Sequence, residues 1–545
     1  MTERRLADWK VALALFSVSL VYFVSYMHYG FAYDEGYLLD SVEKILDGQV
    51  IYRDFHHTYA PGSFYLMAGL FKAFGHNILI ERLVFALLEA MKCAVAFLIV
   101  RRITRSIFAY LAPLLLALAP GPWHKVFFPA FGFLALYVVL VATARPAIWY
   151  LVAGAVIGLC ALFRQDVAGF AAIAAAIAVA VEGVRLKSAL RLPIKKLAYL
   201  VAGMVVVVGP VLCLFYRANA LRPMIHKIAV DGMLDNMTNR IPFPGLGARA
   251  GFDAAFLKHV LPVKIFFYLP FAVYVLAAAV CLRALARRAW QVEHTLLLAV
   301  LAAAVMAFNQ SMWRSDVGHL LQSMQYVFLV VPVLLASLHR LVARRARAGA
   351  RVVVVAKWVL LAVAPLALFW VTMSCTGAAG DPKLAARFLA EGVSVGDSEY
   401  AGSILVRAGN SVKLDIPRAP IYVTPGEARF FSEIGRFLEA NTSPGEYVLA
   451  VPQLQTLYFL FDRRNPTRYA HYRRSLAPEE ERRYIEDIES HGTKYILLTE
   501  PFEGARLGQT SESFGEYAKP VRDWILANYQ SVGRIGWVMI LRKRP

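Results

Sequence analysis

Two adjacent carboxylates, Asp34 and Glu35, follow the first long apolar run, and "YRDFHHTYAPG" then supplies Arg53, Asp54, His56 and His57. A carboxylate facing an apolar interior is costly unless it is paired, hydrogen-bonded or ligating a metal. Such a group is suited to take the proton from an attacking hydroxyl or amine. Carboxylate plus imidazole is a workable set for a divalent cation, with Asp54 and His57 as the first candidate ligands, and Arg53 beside them suits a phosphate. Two later stretches carry similar types. "FRQDVAG" offers Arg164 and Asp166, and "NQSMWRSDVGHLLQ" offers Arg314, Asp316 and His319, the last two spaced to share a helix face. Each has a plainer reading: Asp34 as a helix N-cap, a polar interfacial loop at 53–57, Arg164 satisfied by Asp166, and Trp313 with Arg314 as an interfacial anchor.

The element that must position the acid pair is short. Leu38, Val42, Ile45 and Leu46 recur at helical spacing and Gly48 is a natural stop, which predicts an amphipathic helix over 34–47 at the membrane surface. At about 100° per residue, Asp40, Glu43 and Asp47 fall opposite the leucines and read as a solvated face, whereas Asp34 and Glu35 flank the apolar stripe.

The rest of the chain is dominated by such stripes. Of 545 residues, 59% are hydrophobic and only 18% charged, and mean hydropathy is +0.52, which excludes an ordinary soluble domain. At roughly 20 apolar residues per span, about eleven candidates appear, at 9–29, 78–100, 106–119, 126–144, 147–163, 167–182, 198–216, 260–282, 295–308, 323–338 and 352–374. The net charge of +20 does not imply nucleic acid, because the basic residues cluster in short loops between apolar runs. With the amino terminus inside, the clusters at 101–105, 185–196, 283–288 and 340–351 all fall on the cytoplasmic side. The same assignment sends Asp34, Glu35, Asp54, His56, His57, His124, Asp166, Asp231, Asp235, Asp316 and His319 to the outer face. The five cysteines show neither disulfide nor zinc spacing.

Beyond residue 375 the composition is that of a soluble α/β domain. "YVLAVP", "KYILLT" and "RIGWVMILRKR" read as strands, "PEEERRYIEDIESHG" and "VRDWILANY" as helices, and "TPGEA" as a turn. The expected organisation is a membrane region at 1–374 with outer loops 30–77 and 217–258, then a periplasmic or extracytoplasmic domain at 375–545. The second loop is long enough to act as a lid, with Arg222, His226, Lys227 and Arg240 giving it a phosphate-friendly charge.

An inside amino terminus, a first outer loop opening on an Asp-Glu pair, then "ILDGQVIYRDF" and a Pro-Gly before a short helix ending in "FG" resembles the GT-C integral membrane glycosyltransferases, closest to the family 39 group of protein O-mannosyltransferases and lipid A aminoarabinose transferases. The resemblance implies a polytopic α-helical membrane protein of the inner membrane with a C-terminal soluble α/β domain. It further implies a polyprenyl-phosphate sugar donor, a cell-envelope acceptor, and Asp34 and Glu35 as the catalytic pair. Arg53, Arg164 and Arg314 are then candidates for the donor phosphate. Asp54, His57, Asp316 and His319 are candidates for a divalent metal cofactor. The competing class is a multi-span transporter or lipid flippase, since many spans and intramembrane charges suit those equally. A weaker third is an assembly protein whose soluble domain does the binding.

Overall fold

Each of the eleven apolar segments forms a helix. Among the described residues, eight helices are long and apolar enough to cross a membrane, and Ile107–Leu118, Trp149–Phe163 and Val353–Ala367 are shorter apolar helices. This computed structural model describes residues 3–30, 35–187, 190–238, 240–244, 261–315, 317–345, 350–375, 411–473, 476–499 and 514–545.

The chain divides into two compact units. The first comprises Met1–Met27, Leu83–Val211 and Phe243–Ile404 and contains most of the apolar helices. Within it, glycines let helices touch backbone to backbone: a Cβ on Gly154 would collide with the Leu200 carbonyl oxygen, and one on Gly203 with the Leu151 carbonyl oxygen. Glu89 and Lys92, three apart on one apolar helix, form a fully buried pair at 2.6 Å, and Lys92 also donates to the Pro120 carbonyl at 2.9 Å. That is a structural role for an intramembrane charge.

The second unit comprises His28–Arg82, Leu212–Pro242 and Leu405–Pro545. The described residues of the first loop and residues 217–242 of the second therefore fall in one unit with residues 405–545. Neither loop is long enough to build its own core; the first buries its helix against the soluble domain, and the second is tied to it through Arg473.

The domain is an α/β sandwich of modest size. Strands β1 (Val412–Lys413) and β2 (Tyr422–Val423) pair antiparallel. Strands β3 (Val448–Val451), β4 (Tyr495–Thr499), β5 (Tyr529–Ile535) and β6 (Val538–Lys543) form a sheet in the order β3-β4-β6-β5. β3 and β4 run parallel, and the Pro478–Ser490 helix lies in the connection between them, as parallel neighbours require. The stretch read as one strand, "RIGWVMILRKR", is a hairpin, because Gly536 takes φ +56° and turns the chain between β5 and β6. "TPGEA" is not a free turn but a helix start. Thr424 caps the Pro425–Asn441 helix with Glu427 closing a capping box, and Pro425 occupies the first turn, where its missing N–H costs nothing.

The expected helix at 34–47 forms over Glu35–Leu46. Its approach to the soluble domain is so close that a Cβ on Gly36 would collide with the Thr456 side chain and lie 2.5 Å from the Thr456 backbone nitrogen. The loop is tied at both ends as well: Tyr422 N donates to His28 O at 2.7 Å, Gly30 N to Tyr422 O at 2.8 Å, and Ile78 N to Arg418 O at 2.9 Å. The glycine after the acid pair is thus a packing requirement. Gly36→Ala should lower stability by about 1–3 kcal/mol through overpacking. Gly69→Ala, where an added Cβ meets nothing within 4 Å, should leave thermal unfolding of the purified protein unchanged or slightly higher. Equal unfolding temperatures for the two variants would refute the close-packing account.

Candidate functional site

Glu35 opens its helix and is almost completely buried, as is Arg82 in the first turns of the Ile78–Thr104 helix, at 1% and 2% exposure. Arg82 Nε donates to Glu35 Oε1 at 2.9 Å and Nη2 to Oε2 at 2.7 Å, a two-pronged bond that also reaches the Gly30 carbonyl at 3.1 Å. A carboxylate already accepting two charge-assisted hydrogen bonds is poorly placed to take a proton, so Glu35 serves as an anchor for the turn. Asp34 lies outside the described residues. Arg82 had no sequence signal beyond being an arginine at the mouth of an apolar helix, "ILIERLVF".

The three acids assigned to a solvated face are instead the helix's attachment points. Asp40 is buried, 3.0 Å from Lys44, whose Nζ also donates to the Thr467 carbonyl at 3.0 Å. Burial pushes the Asp40 carboxyl upward, and Lys44 and Asn465 oppose that. Glu43 meets His76 at 2.7 Å and Arg418 at 3.5 Å, and Asp47 meets Arg464 at 2.8 Å. Helical phase identified the face correctly but not all its partners, because Arg418 and Arg464 come from the distant soluble domain.

The phosphate and metal candidates are mostly occupied. Arg53 spends its fork on Asp54, with Nε to Oδ1 and Nη2 to Oδ2 both at 2.8 Å, and donates Nη1 to the Ala218 carbonyl at 3.1 Å. Arg53 in turn holds the Asp54 carboxyl below its usual range. His57 is fully buried against Phe64 and Tyr37, and its Nδ1 accepts from the Tyr59 backbone N–H at 3.0 Å. With Asp54 neutralised and His57 turned to its own backbone, the two do not form a shared metal site. Among the described residues, no group of three or more His, Cys, Asp or Glu is arranged to hold a metal ion. Asp316 lies outside the described residues, and the His319 carbonyl accepts from Ser311 and Ser323.

Arg164 resolves in favour of its neighbour. Nε donates to Asp166 Oδ1 at 2.6 Å and Nη2 to Oδ2 at 3.1 Å, and the guanidinium lies over Phe128 at 4.6 Å. Gln310 Nε2 donates to the same carboxylate at 3.2 Å. Arg314 caps the Val292–Trp313 helix and is half-buried.

A second charged centre was not assembled by sequence reasoning. His56 Nε2 lies 3.0 Å from Asp231 Oδ2, and Arg473 Nη1 lies 2.6 Å from the same imidazole nitrogen. Burial lowers the His56 pKa to about 4; the Asp231 hydrogen bond opposes this, and the Arg473 and Lys227 charges reinforce it. Burial would raise Asp231, but the His56 hydrogen bond and the Lys227 charge outweigh it and hold the carboxyl below its usual range.

With eight helices among the described residues long and apolar enough to cross a membrane, the chain is a multi-pass membrane protein. Residues 57–213 match the family model described as dolichyl-phosphate-mannose-protein mannosyltransferase. Among solved structures, ArnT from Cupriavidus metallidurans bound to undecaprenyl phosphate is 16% identical with TM-score 0.51, the alignment covering 99% of this chain and 98% of that one. The Archaeoglobus fulgidus oligosaccharyltransferase, in complex with zinc and sulfate, is 13% identical with TM-score 0.44, over 89% of this chain and 67% of its own. No curated protein matches the chain by sequence.

Two outcomes follow from this geometry. Arg82→Met leaves the Glu35 carboxylate buried without its fork and should cost about 3–5 kcal/mol in chemical unfolding; a loss within error of zero would remove the pair as an anchor. Because the folded His56 pKa is depressed from 6.5 to about 4, the unfolded chain binds the extra proton first on acidification. Its contribution to stability is therefore complete above pH 6.5 and declines toward pH 4. Unfolding midpoints measured across that window should fall less steeply in His56→Gln than in the unaltered protein, and identical slopes would overturn the assignment.

Proposed function

We propose that the protein is a glycosyltransferase that moves a sugar from a polyprenyl-phosphate-linked donor to a cell-envelope acceptor on the outer face of the inner membrane. The observation that carries this reading is the GT-C fold along the whole chain, with an Asp-Glu pair opening a loop whose glutamate is fixed by Arg82. The family-model match over residues 57–213 and the undecaprenyl phosphate bound by the ArnT structure support the lipid-phosphate donor.

In this mechanism Asp34 accepts the proton of the acceptor hydroxyl or amine as its lone pair attacks the anomeric carbon. The bond to the lipid phosphate breaks, and the polyprenyl phosphate leaves with its electron pair. Glu35, held by Arg82, fixes the helix start next to Asp34 in sequence and supports it without itself taking the proton. Arg53 and Arg164 are each neutralised by an adjacent aspartate, so a donor phosphate at either would have to displace Asp54 or Asp166. Arg222, Lys227 and Arg240 add positive charge to the second loop, and Arg314 is a separate candidate for the phosphate. Among the described residues no group of three or more His, Cys, Asp or Glu is arranged to hold a divalent cation. Basic inner segments place the amino terminus in the cytoplasm and both loops and the soluble domain outside.

The test is transfer of labelled sugar from undecaprenyl-phosphate donors to envelope acceptors by the full chain in lipid nanodiscs. Asp34→Asn should reduce turnover by about 10²–10⁴-fold, while wild-type turnover surviving in that variant would remove Asp34 as the base. Absence of transfer with every such donor, together with substrate-dependent transport in vesicles, would favour the transporter class instead.

A further inference from the structure

Three stretches remote in sequence converge on one buried guanidinium. Arg473 of the soluble domain donates Nε at 3.1 Å and Nη2 at 2.7 Å to Asp235 Oδ1 of the second loop. Its Nη1 lies 2.6 Å from His56 Nε2 of the first loop and 3.8 Å from Asp231 Oδ2. Asp231 in turn has His226 Nδ1 at 3.3 Å and Lys227 Nζ at 3.6 Å. His56 Nε2 stands between a guanidinium donor and a carboxylate acceptor, and it can hydrogen-bond to only one of them at a time.

The backbone of the second loop is shaped for this convergence. Lys227–Asp231 is a π-turn between the Leu221–His226 and Gly232–Thr238 helices. Regular α spacing would set His226 and Asp231 about 140° apart around the helix, whereas the wider i to i+5 turn brings them side by side. The apolar side chains of this stretch do little to hold it: Ile225, Val230, Met233, Leu234 and Met237 are all exposed. The first loop is fixed differently. Its strand-like ties to Tyr422, the Gly36 contact and the Arg82 fork do not involve Arg473.

We propose that Arg473 is a positioning residue for the transfer reaction: from the soluble domain it holds the second loop against the first, so that the site is complete only when all three stretches meet on its guanidinium. The inference rests on the glycosyltransferase reading for the reaction it serves. A segment held by charges with little apolar burial has low local stability, which suits an element that must release and re-seat as a lipid-linked donor comes and goes.

The experiment measures amide hydrogen exchange over residues 221–238, alongside turnover in the nanodisc assay, for the full-length wild type and three variants. Arg473→Ala should raise exchange over 221–238 by at least about tenfold, as expected when a tie worth at least 1.4 kcal/mol is lost, with unchanged protection in Ile78–Thr104 and a corresponding fall in turnover. Arg473→Lys, which keeps the charge but loses the fork, should restore part of both. The exchanged pair Arg473→Asp with Asp235→Arg should restore protection more fully than either single change. Unchanged exchange over 221–238 in Arg473→Ala overturns the tie, and raised exchange with undiminished turnover overturns its role in the reaction. If Arg473→Ala does not fold, Asp235→Asn reads the same tie from the other side. A wild type without turnover on any lipid-phosphate donor defeats the glycosyltransferase reading and with it the reaction role, while the exchange measurements still decide whether the tie exists.

Discussion

The buried Glu35–Arg82 pair sets the terms for the rest of the second unit. Two ions withdrawn from water lose several kcal/mol of hydration each, and their mutual attraction offsets that only when the geometry is two-pronged and remaining donors are satisfied. Both conditions are met here: the guanidinium grips both carboxylate oxygens and also reaches the Gly30 carbonyl. Such a pair tolerates little displacement. Gly30, the start of the Glu35–Leu46 helix and the first turns of the Ile78–Thr104 helix are therefore held in one arrangement.

That arrangement needs a scaffold the loop cannot supply itself. A helix of twelve residues is marginal alone, and this one carries Asp40, Glu43 and Asp47 along a face that would otherwise be hydrated. The soluble domain contributes Asn465, Arg418 and Arg464 to those acids, and the Thr456 backbone to Gly36. Its own core is built conventionally from the inner face of the sheet, with Leu449, Ile496, Leu498 and Leu541 packed on Tyr484, Ile488, Val521 and Ile525. A stable core carrying a basic surface thus holds an acidic helix. The domain and the Glu35–Leu46 helix are packed as one unit.

The arginines illustrate why residue type alone is a weak guide to phosphate binding. Arg53 and Arg164 both sit beside an aspartate one or two residues on, and each has closed on that neighbour. A local ion pair needs only a side-chain rotation, whereas a phosphate must arrive and then displace a carboxylate. Arg473 had no such neighbour within its own segment, and its partners became visible only when the second loop was folded against the domain.

Much of the fold was determined by sequence alone, because membrane spans are governed by a one-dimensional rule. In a bilayer the backbone must bond within its own helix, so length and hydropathy suffice, and all eleven apolar segments are helices. Period and capping chemistry likewise specified the Glu35–Leu46 helix and the helices and most strands of the soluble domain. What sequence could not determine was which charge meets which. Helical phase separated Asp40, Glu43 and Asp47 from Asp34 and Glu35, but whether that face meets water or protein depends on residues some 400 positions away. The anchor role of Glu35, the packing role of Gly36 and the meeting of His56, Asp231, Asp235 and Arg473 were likewise decided only by tertiary structure. Coulomb and steric interactions act through space, and separation along the chain carries almost no information about them.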